Sequence, residues 1–238
     1  RPSDADYDRY LWLAELLKQC RYNDDLIYRS HPFVVKDVFS SALLVTANRA
    51  LLSLAAVLDR SNGERREIEA WIDRGRRGLG DQFDAELGLC LDYDVRAAAS
   101  LKTRTFAGFA PLISGLVESH IRAIQLEQLD SEHFLGDSRL RWPLIPTTSP
   151  TESAFDPRKY WRGPVWPVIT WVLWRALDSL GEHERAQRLR HAALQQTEAA
   201  GFTEYVEPFT GEGLGSDSQS WTAAVVLDWL AAETQQTN

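Results

Sequence analysis

The sequence predicts an all-α fold. Apolar residues recur at helical spacing through most of the 238 residues, Gly181 separates two such stretches as a turn, and β-type alternation is confined to one short segment. No fixed repeat period is present, so a solenoid is not expected. The expected architecture is about seven helices joined as hairpins, with functional loops at one end. No linker-like break interrupts residues 1–238, which read as one domain or one part of a domain.

Taken in order, residues 4–19 carry Tyr7, Tyr10, Leu11, Leu13, Ala14, Leu16 and Leu17, with Ser3 or Asp4 as the N-cap. Residues 37–59 form a long, nearly all-apolar helix, and residues 64–79 an Arg/Glu-rich one with Ile68, Trp71 and Ile72 on one face. The stretch "LGLCLDYDV" (87–95) alternates as a strand does. Helical spacing returns over 108–128, 165–180, 182–199 and 219–233. The connections 136–164 and 200–218 are rich in Pro, Gly, Ser and Thr and long for a helical domain. Their aromatic content marks them as functional.

Net charge is −8, which disfavours nucleic acid and anionic membranes as partners, because phosphate binding needs concentrated Lys and Arg. Apolar runs are broken by Asn48 and Arg49 or by Arg175, short of the ~18 residues that span a bilayer. The polar N-terminus is unlike a signal peptide, and a start at Arg1 without Met suggests a processed or partial chain. Cys20 and Cys90 match no metal spacing; both are expected as buried free thiols, which fits a reducing cytoplasm. Nine tryptophans exceed what a core needs, and their flat faces suit the C–H side of sugar rings, although helix packing accounts for many.

Several chemistries score low. Asp4, Asp6, Asp8 and Glu15 imitate a calcium loop, but Arg9 stands where that loop needs Gly, and the acidic run suits a helix's first turn. His31, His120, His133, His183 and His191 fit no metal-site spacing, and no nucleophile elbow or phosphate loop is present. No metal and no cofactor is expected. Aromatics and carboxylates in loops remain. In "DPRKYWRGPVWP" (156–167), Tyr160, Trp161 and Trp166 surround Arg162 and Gly163, while Pro164 and Pro167 stiffen the backbone. In "TEYVEPFTGEGLGSDSQSW" (203–221), Glu204, Glu207 and Glu212 supply carboxylates for sugar hydrolysis, which needs an acid and a base or nucleophile. Composition alone does not separate the three.

"YWRGPVWP" followed by "EYVEPFTGEGLG…SW" resembles glycoside hydrolase family 63 and the related family 37 trehalases. "RPSDADYDRYLWL" looks like the bacterial branch of glucosylglycerate and mannosylglycerate hydrolases. The match runs from Arg1 to about Leu230. The resemblance implies an (α/α)6 barrel, an inverting mechanism and Glu204 as the base. It implies Glu207 as support for the turn at Pro208, and Glu212 as part of a mobile tail over the site. Here Tyr205 and Val206 stand where the family often has another residue and then Tyr. The resemblance further implies Tyr160, Trp161, Gly163 and Trp166 at the sugar subsite, with Gln219 and Trp221 facing the same pocket. Arg1 and Tyr7 would hold the glycerate carboxylate. The family's general acid lies in a Gly-Asp-Asn-Ser-Pro-like segment that is absent here. The chain is therefore expected to be the C-terminal part of one catalytic domain, Asp92, Asp94 or Asp156 being the acid otherwise. The expected partners are a small anionic glycoside and the N-terminal part of the same enzyme, with homo-oligomerisation left open and no nucleic acid or membrane.

Overall fold

The computed structural model describes residues 3–115 and 117–236, with side chains to residue 232. Helix α1 (Asp4–Gln19) begins at Ser3, whose hydroxyl accepts from Asp6 N–H while the Asp6 carboxylate accepts from Ser3 N–H at 3.0 Å. Its acidic first turn satisfies orphan amides and complements the helix dipole rather than forming a cation loop. A helix not anticipated from the sequence, α2 (Asp24–Ser30), follows after Arg21 and Tyr22 take left-handed angles, φ +51° and +52°. Asn23 caps it by accepting from Leu26 N–H at 3.0 Å. Arg96 satisfies its C-terminal end, donating to the carbonyls of Ile27, Tyr28 and His31. Neither α1 nor α2 buries a residue, and the aromatics Tyr7, Tyr10 and Trp12 are all more than half exposed.

The body starts with β1 (Val35–Lys36) and α3 (Val38–Val57), capped by Asp37. α4 (Asn62–Asp81) returns antiparallel behind a Ser61–Glu64 capping box. The alternating stretch 87–95 is not one strand. It supplies β3 (Leu89–Cys90), which pairs with β2 (Phe83–Asp84), and β4 (Tyr93–Asp94), which lies between β1 and β5 (Ala99–Ser100). Asp92, between β3 and β4, accepts from Val38 N–H at 2.9 Å at the start of α3.

The helical pattern over 108–128 is likewise divided. A 3-10 turn (Phe106–Phe109) leads into the five-residue α5 (Ala110–Ser114), all of it buried; Gly115 then turns left-handed, φ +66°, and α6 (Ser119–Asp130) begins afresh. α7 (Pro167–Ser179) starts on a proline whose missing N–H costs nothing there. It turns at Gly181 into α8 (His183–Ala200). A small hairpin of β6 (Tyr205–Val206) and β7 (Gly213–Leu214) precedes α9 (Ser220–Gln236).

Helices α3, α5, α7 and α9 are successive neighbours, with α4, α6 and α8 packed behind them. The result is a two-layered arc. The main core fills α5, α7, α8 and the loops above them, around the fully buried Trp166, Trp229, Phe109 and Phe134. Each such side chain contributes roughly 1.5–3 kcal/mol on burial. The arc leaves apolar faces open at α3 (Leu44, Leu54, Val57) and α9 (Leu227, Leu230).

Two sequence expectations need correcting. α3 is long and apolar enough to cross a membrane by length and composition, because the Asn48–Arg49 break is too brief to lower its average. Here it packs against α4 and α5, and Arg49 donates to Ser114 O at 2.8 Å. Cys20 is only half-buried, since it ends the unburied α1; Cys90 is buried, and desolvation pushes its thiol up to about 12.

Candidate active site

The two long loops meet at one end of the arc. Val165 and Val206 exchange backbone hydrogen bonds at 2.9 and 2.8 Å, and Val165 also bridges to Pro146. This stitches loop 156–166 to the β6–β7 hairpin, so residues about 40 apart in sequence share one surface. The loop is wound tightly. Asp156 accepts from Arg158 N–H, and Asp156 N–H and Arg162 O close it at 2.8 Å. Gly163 fits where any side chain would collide, because a Cβ would lie 2.3 Å from Asp156 O. Gly163 N–H donates to Thr147 Oγ1 at 3.0 Å. Buried and so engaged, Gly163 shapes the loop.

The aromatics form a stack. Trp161 lies flat on Trp166, with centroids 3.9 Å apart and planes 6° apart, and Trp166 lies on Tyr205 at 5.0 Å. Tyr160 stands edge-on to Trp161, Trp166 and Tyr205. Trp161 is 43% exposed and Trp221, tilted against Trp166, is 39% exposed, whereas Trp166 is fully buried. Trp161 and Trp221 thus have surface to offer a ligand. Trp166 is the support beneath, since both its faces and its N–H, donated to Tyr160 O at 3.1 Å, are taken.

The hairpin separates the three glutamates. Glu204 is half-buried; Tyr160 Oη donates to its Oε1 at 3.1 Å and Ser216 N–H to its Oε2 at 3.2 Å. Its backbone N–H donates to Ser216 O at 2.8 Å. Both oxygens are thereby oriented. Glu207 is 4% exposed and folds the turn at Pro208. Its Oε2 accepts from Phe209 N–H at 3.0 Å, from Thr210 Oγ1 at 2.6 Å and from Thr210 N–H. Glu212 is not part of a free tail. It grips Arg158 of the other loop with both oxygens, at 2.5 and 3.0 Å, and that guanidinium holds its carboxyl below the usual range.

The remaining expected site residues are spread. Gln219 N–H donates to Phe202 O at 2.8 Å, which sets the half-buried Gln219 at the start of α9 beside the hairpin. Tyr7 is 51% exposed, and its ring meets Tyr10 of α1 edge-on rather than the stack. Its neighbour Asp6 is lowered mainly by Ser3 N–H. Arg1 lies outside the described residues. The sequence reading missed Arg158, Gly215 and Ser216 as parts of the site. Only Gly215 carried a signal, in "GLGS". Its φ is +79°, and a Cβ would lie 2.4 Å from Glu204 Oε2.

The alternative acids are all committed elsewhere. Asp94 accepts from Arg96 and Ala97 N–H in a turn, Asp156 from Arg158 N–H, and Asp92 from Val38 N–H at the start of α3. Burial raises Asp92, against the lowering by Val38 N–H. Among the described residues no cluster of His, Cys, Asp or Glu fit for a metal ion occurs.

A layered arc of paired helices defines the helical-barrel class of fold, and at one end it sets an oriented carboxylate beside an aromatic platform. Residues 1–222 match the family model of the mannosylglycerate hydrolase MGH1-like glycoside hydrolase domain, and the chain belongs to that family. It is 45% identical over 231 residues to a glucosylglycerate hydrolase of Mycolicibacterium hassiacum, covering 97% of this chain and 52% of that protein. It is 40% identical over 229 residues to a mannosylglycerate hydrolase of Thermus thermophilus, covering 96% and 53%. The crystal structure of a GH63 mannosylglycerate hydrolase from Thermus thermophilus in complex with glucose superposes with a TM-score of 0.88 at 38% identity, covering 97% of this chain and 53% of that one. The chain spans about half the length of the relatives it matches.

Proposed function

We propose that this chain carries the base half of an inverting glycoside hydrolase acting on glucosylglycerate or mannosylglycerate. The observation that carries this reading is Glu204, held at both oxygens beside the Trp161 platform. Glu204 takes a proton from a water whose oxygen attacks the anomeric carbon. The bond from that carbon to the glycerate oxygen breaks, and an acid on the opposite face protonates the leaving oxygen. That acid comes from residues upstream of Arg1, since Asp92, Asp94 and Asp156 are occupied in caps and turns. The two carboxyls stand about 6.5–9.5 Å apart, leaving room for the water.

Trp161 and Trp221 offer their exposed surfaces to the sugar, with Tyr160 and Gln219 beside them. Arg1 and Tyr7 hold the glycerate carboxylate; an Arg fork suits that planar anion. Two free thiols fit a reducing, cytoplasmic setting. The test is release of sugar and glycerate by this chain joined to the half of its relatives that it does not span, taken in this reading as the upstream half. The joined protein turns over and the chain alone does not. Glu204→Gln abolishes turnover while substrate still binds, and Arg1→Ala impairs hydrolysis of anionic glycosides more than of neutral ones. Full activity in Glu204→Gln rejects the assignment.

A further inference from the structure

We propose that Arg158 and Glu212 form a clamp that sets the register between the loop bearing Tyr160 and the hairpin bearing Glu204, making both positioning residues for the base. This rests on the reading of Glu204 as the base. Arg158 belongs to the tight loop 156–166, two residues before Tyr160, and Glu212 to the turn between β6 and β7. They are 54 positions apart and meet bidentately at 2.5 and 3.0 Å. A two-point contact between planar groups fixes angle as well as distance, which a single contact does not.

Both partners are braced. Arg158 N–H donates to Asp156 Oδ1 at 3.0 Å. Glu212 N–H donates to Thr210 Oγ1 at 3.2 Å and its carbonyl accepts from Glu207 N–H at 2.9 Å, inside the turn that buried Glu207 organises. The clamp therefore joins two preformed units rather than two free side chains. On the same two segments lies the contact that matters for chemistry, Tyr160 Oη to Glu204 Oε1 at 3.1 Å.

Tyr160 explains why a clamp is needed. It is a non-glycine residue at φ +36°, a conformation that persists only where the surroundings over-determine it. The Trp166 N–H holds its carbonyl at 3.1 Å from the α7 side, and Arg158–Glu212 fixes the loop from the hairpin side. An exposed ion pair contributes little to global stability. Its effect here is geometric, since a displacement of about 1 Å in a catalytic group costs on the order of 100-fold in rate.

The experiment uses the enzyme containing the upstream half, with Arg158→Ala, Glu212→Gln and the charge exchange Arg158→Glu/Glu212→Arg. Steady-state kinetics and hydrogen–deuterium exchange are read on all of them. Each single variant is expected to lose about tenfold in kcat with KM changed less than about twofold. Peptides covering 156–166 and 203–216 should exchange faster, and the charge exchange should recover most of both readouts. Unchanged kcat and unchanged exchange in the singles overturns the clamp. Equal losses in the singles and the exchange, with slow peptide exchange throughout, also overturns it. Clamp-dependent exchange in a parent without glycosidase activity supports the clamp and rejects Glu204 as the base, which separates the two readings.

Discussion

The phenol of Tyr160 donates to Glu204 Oε1 at 3.1 Å from a backbone held at φ +36°. Ser216 N–H takes the other oxygen. The carboxylate is thus aimed by one side chain and one amide, from two segments that are brought together only by the fold. Tyr160→Phe keeps the ring's edge contacts with Trp166 and Tyr205 and removes only the donor. In the joined enzyme it should lower kcat by about tenfold or more. Stability should change by no more than about 1.5 kcal/mol, the usual net contribution of one hydrogen bond. Wild-type kcat in this variant would show that the phenol does not orient Glu204 for the proposed reaction.

Gly215 gives a sharper probe, because a methyl group there would sit 2.4 Å from Glu204 Oε2 and 2.7 Å from Tyr205 Cε1. Gly215→Ala should reduce kcat by about 100-fold, through displacement of the carboxylate. Strain at positive φ should cost about 1–2 kcal/mol in addition. Gly181 is the control: it shares φ +79° but nothing lies within 4 Å of a Cβ. Gly181→Ala should lose stability similarly and keep its kcat. Equal kinetic losses in both would mean that strain, not the collision, is responsible.

The helices were legible in the sequence because their apolar spacing repeats over several turns, and α1, α3, α4, α7, α8 and α9 all fall within a few residues of that reading. What escaped it was short or capped by distant groups. α2 has seven residues and depends on Arg96, more than sixty positions away, for its C-terminal carbonyls. The break at Gly115 was hidden by apolar residues on both sides, which continue the helical period across a left-handed turn. At the site, the loops and their aromatics were visible, as was the order in which the motifs occur. The partition of labour among them was not. Trp166 and Trp161 have the same local chemistry, and only packing decides that one is sealed and the other exposed. Glu212 looks like solvated loop until Arg158 is placed opposite it.

Glu207 is the buried member of the three glutamates, and its role is to fold the turn. Its Oε2 accepts from Phe209 N–H, Thr210 N–H and Thr210 Oγ1. Glu207→Ala leaves these donors without their acceptor and should destabilise the chain by about 2–3 kcal/mol in thermal or urea unfolding. Glu207→Gln keeps one oxygen acceptor and should lose less. A neutral result for Glu207→Ala would mean that water replaces the carboxyl in the turn.

The junction of α6, α7 and α8 carries a pH signature that can be read apart from catalysis. Glu182, at the start of α8, bonds Arg122 of α6 and Arg185 of α8, and Arg185 also pairs with Asp130 at 2.8 Å. The Arg122 hydrogen bond, more than the opposing burial, lowers the Glu182 carboxyl below its ordinary value of 4.5. A carboxyl lowered in the folded state stabilises it fully above the unfolded value, and that stabilisation disappears as pH falls through the folded value. Glu182→Gln should therefore melt below the parent at neutral pH, and the gap should close on acidification through and below 4.5. Asp137 and Asp84 are lowered as well, by Arg139 and by Leu87 N–H respectively, so the parent's own melting temperature also falls in acid. The difference between variant and parent isolates Glu182 from that background. A gap of constant size from neutral pH to about pH 2 would assign the loss to packing rather than to the charge.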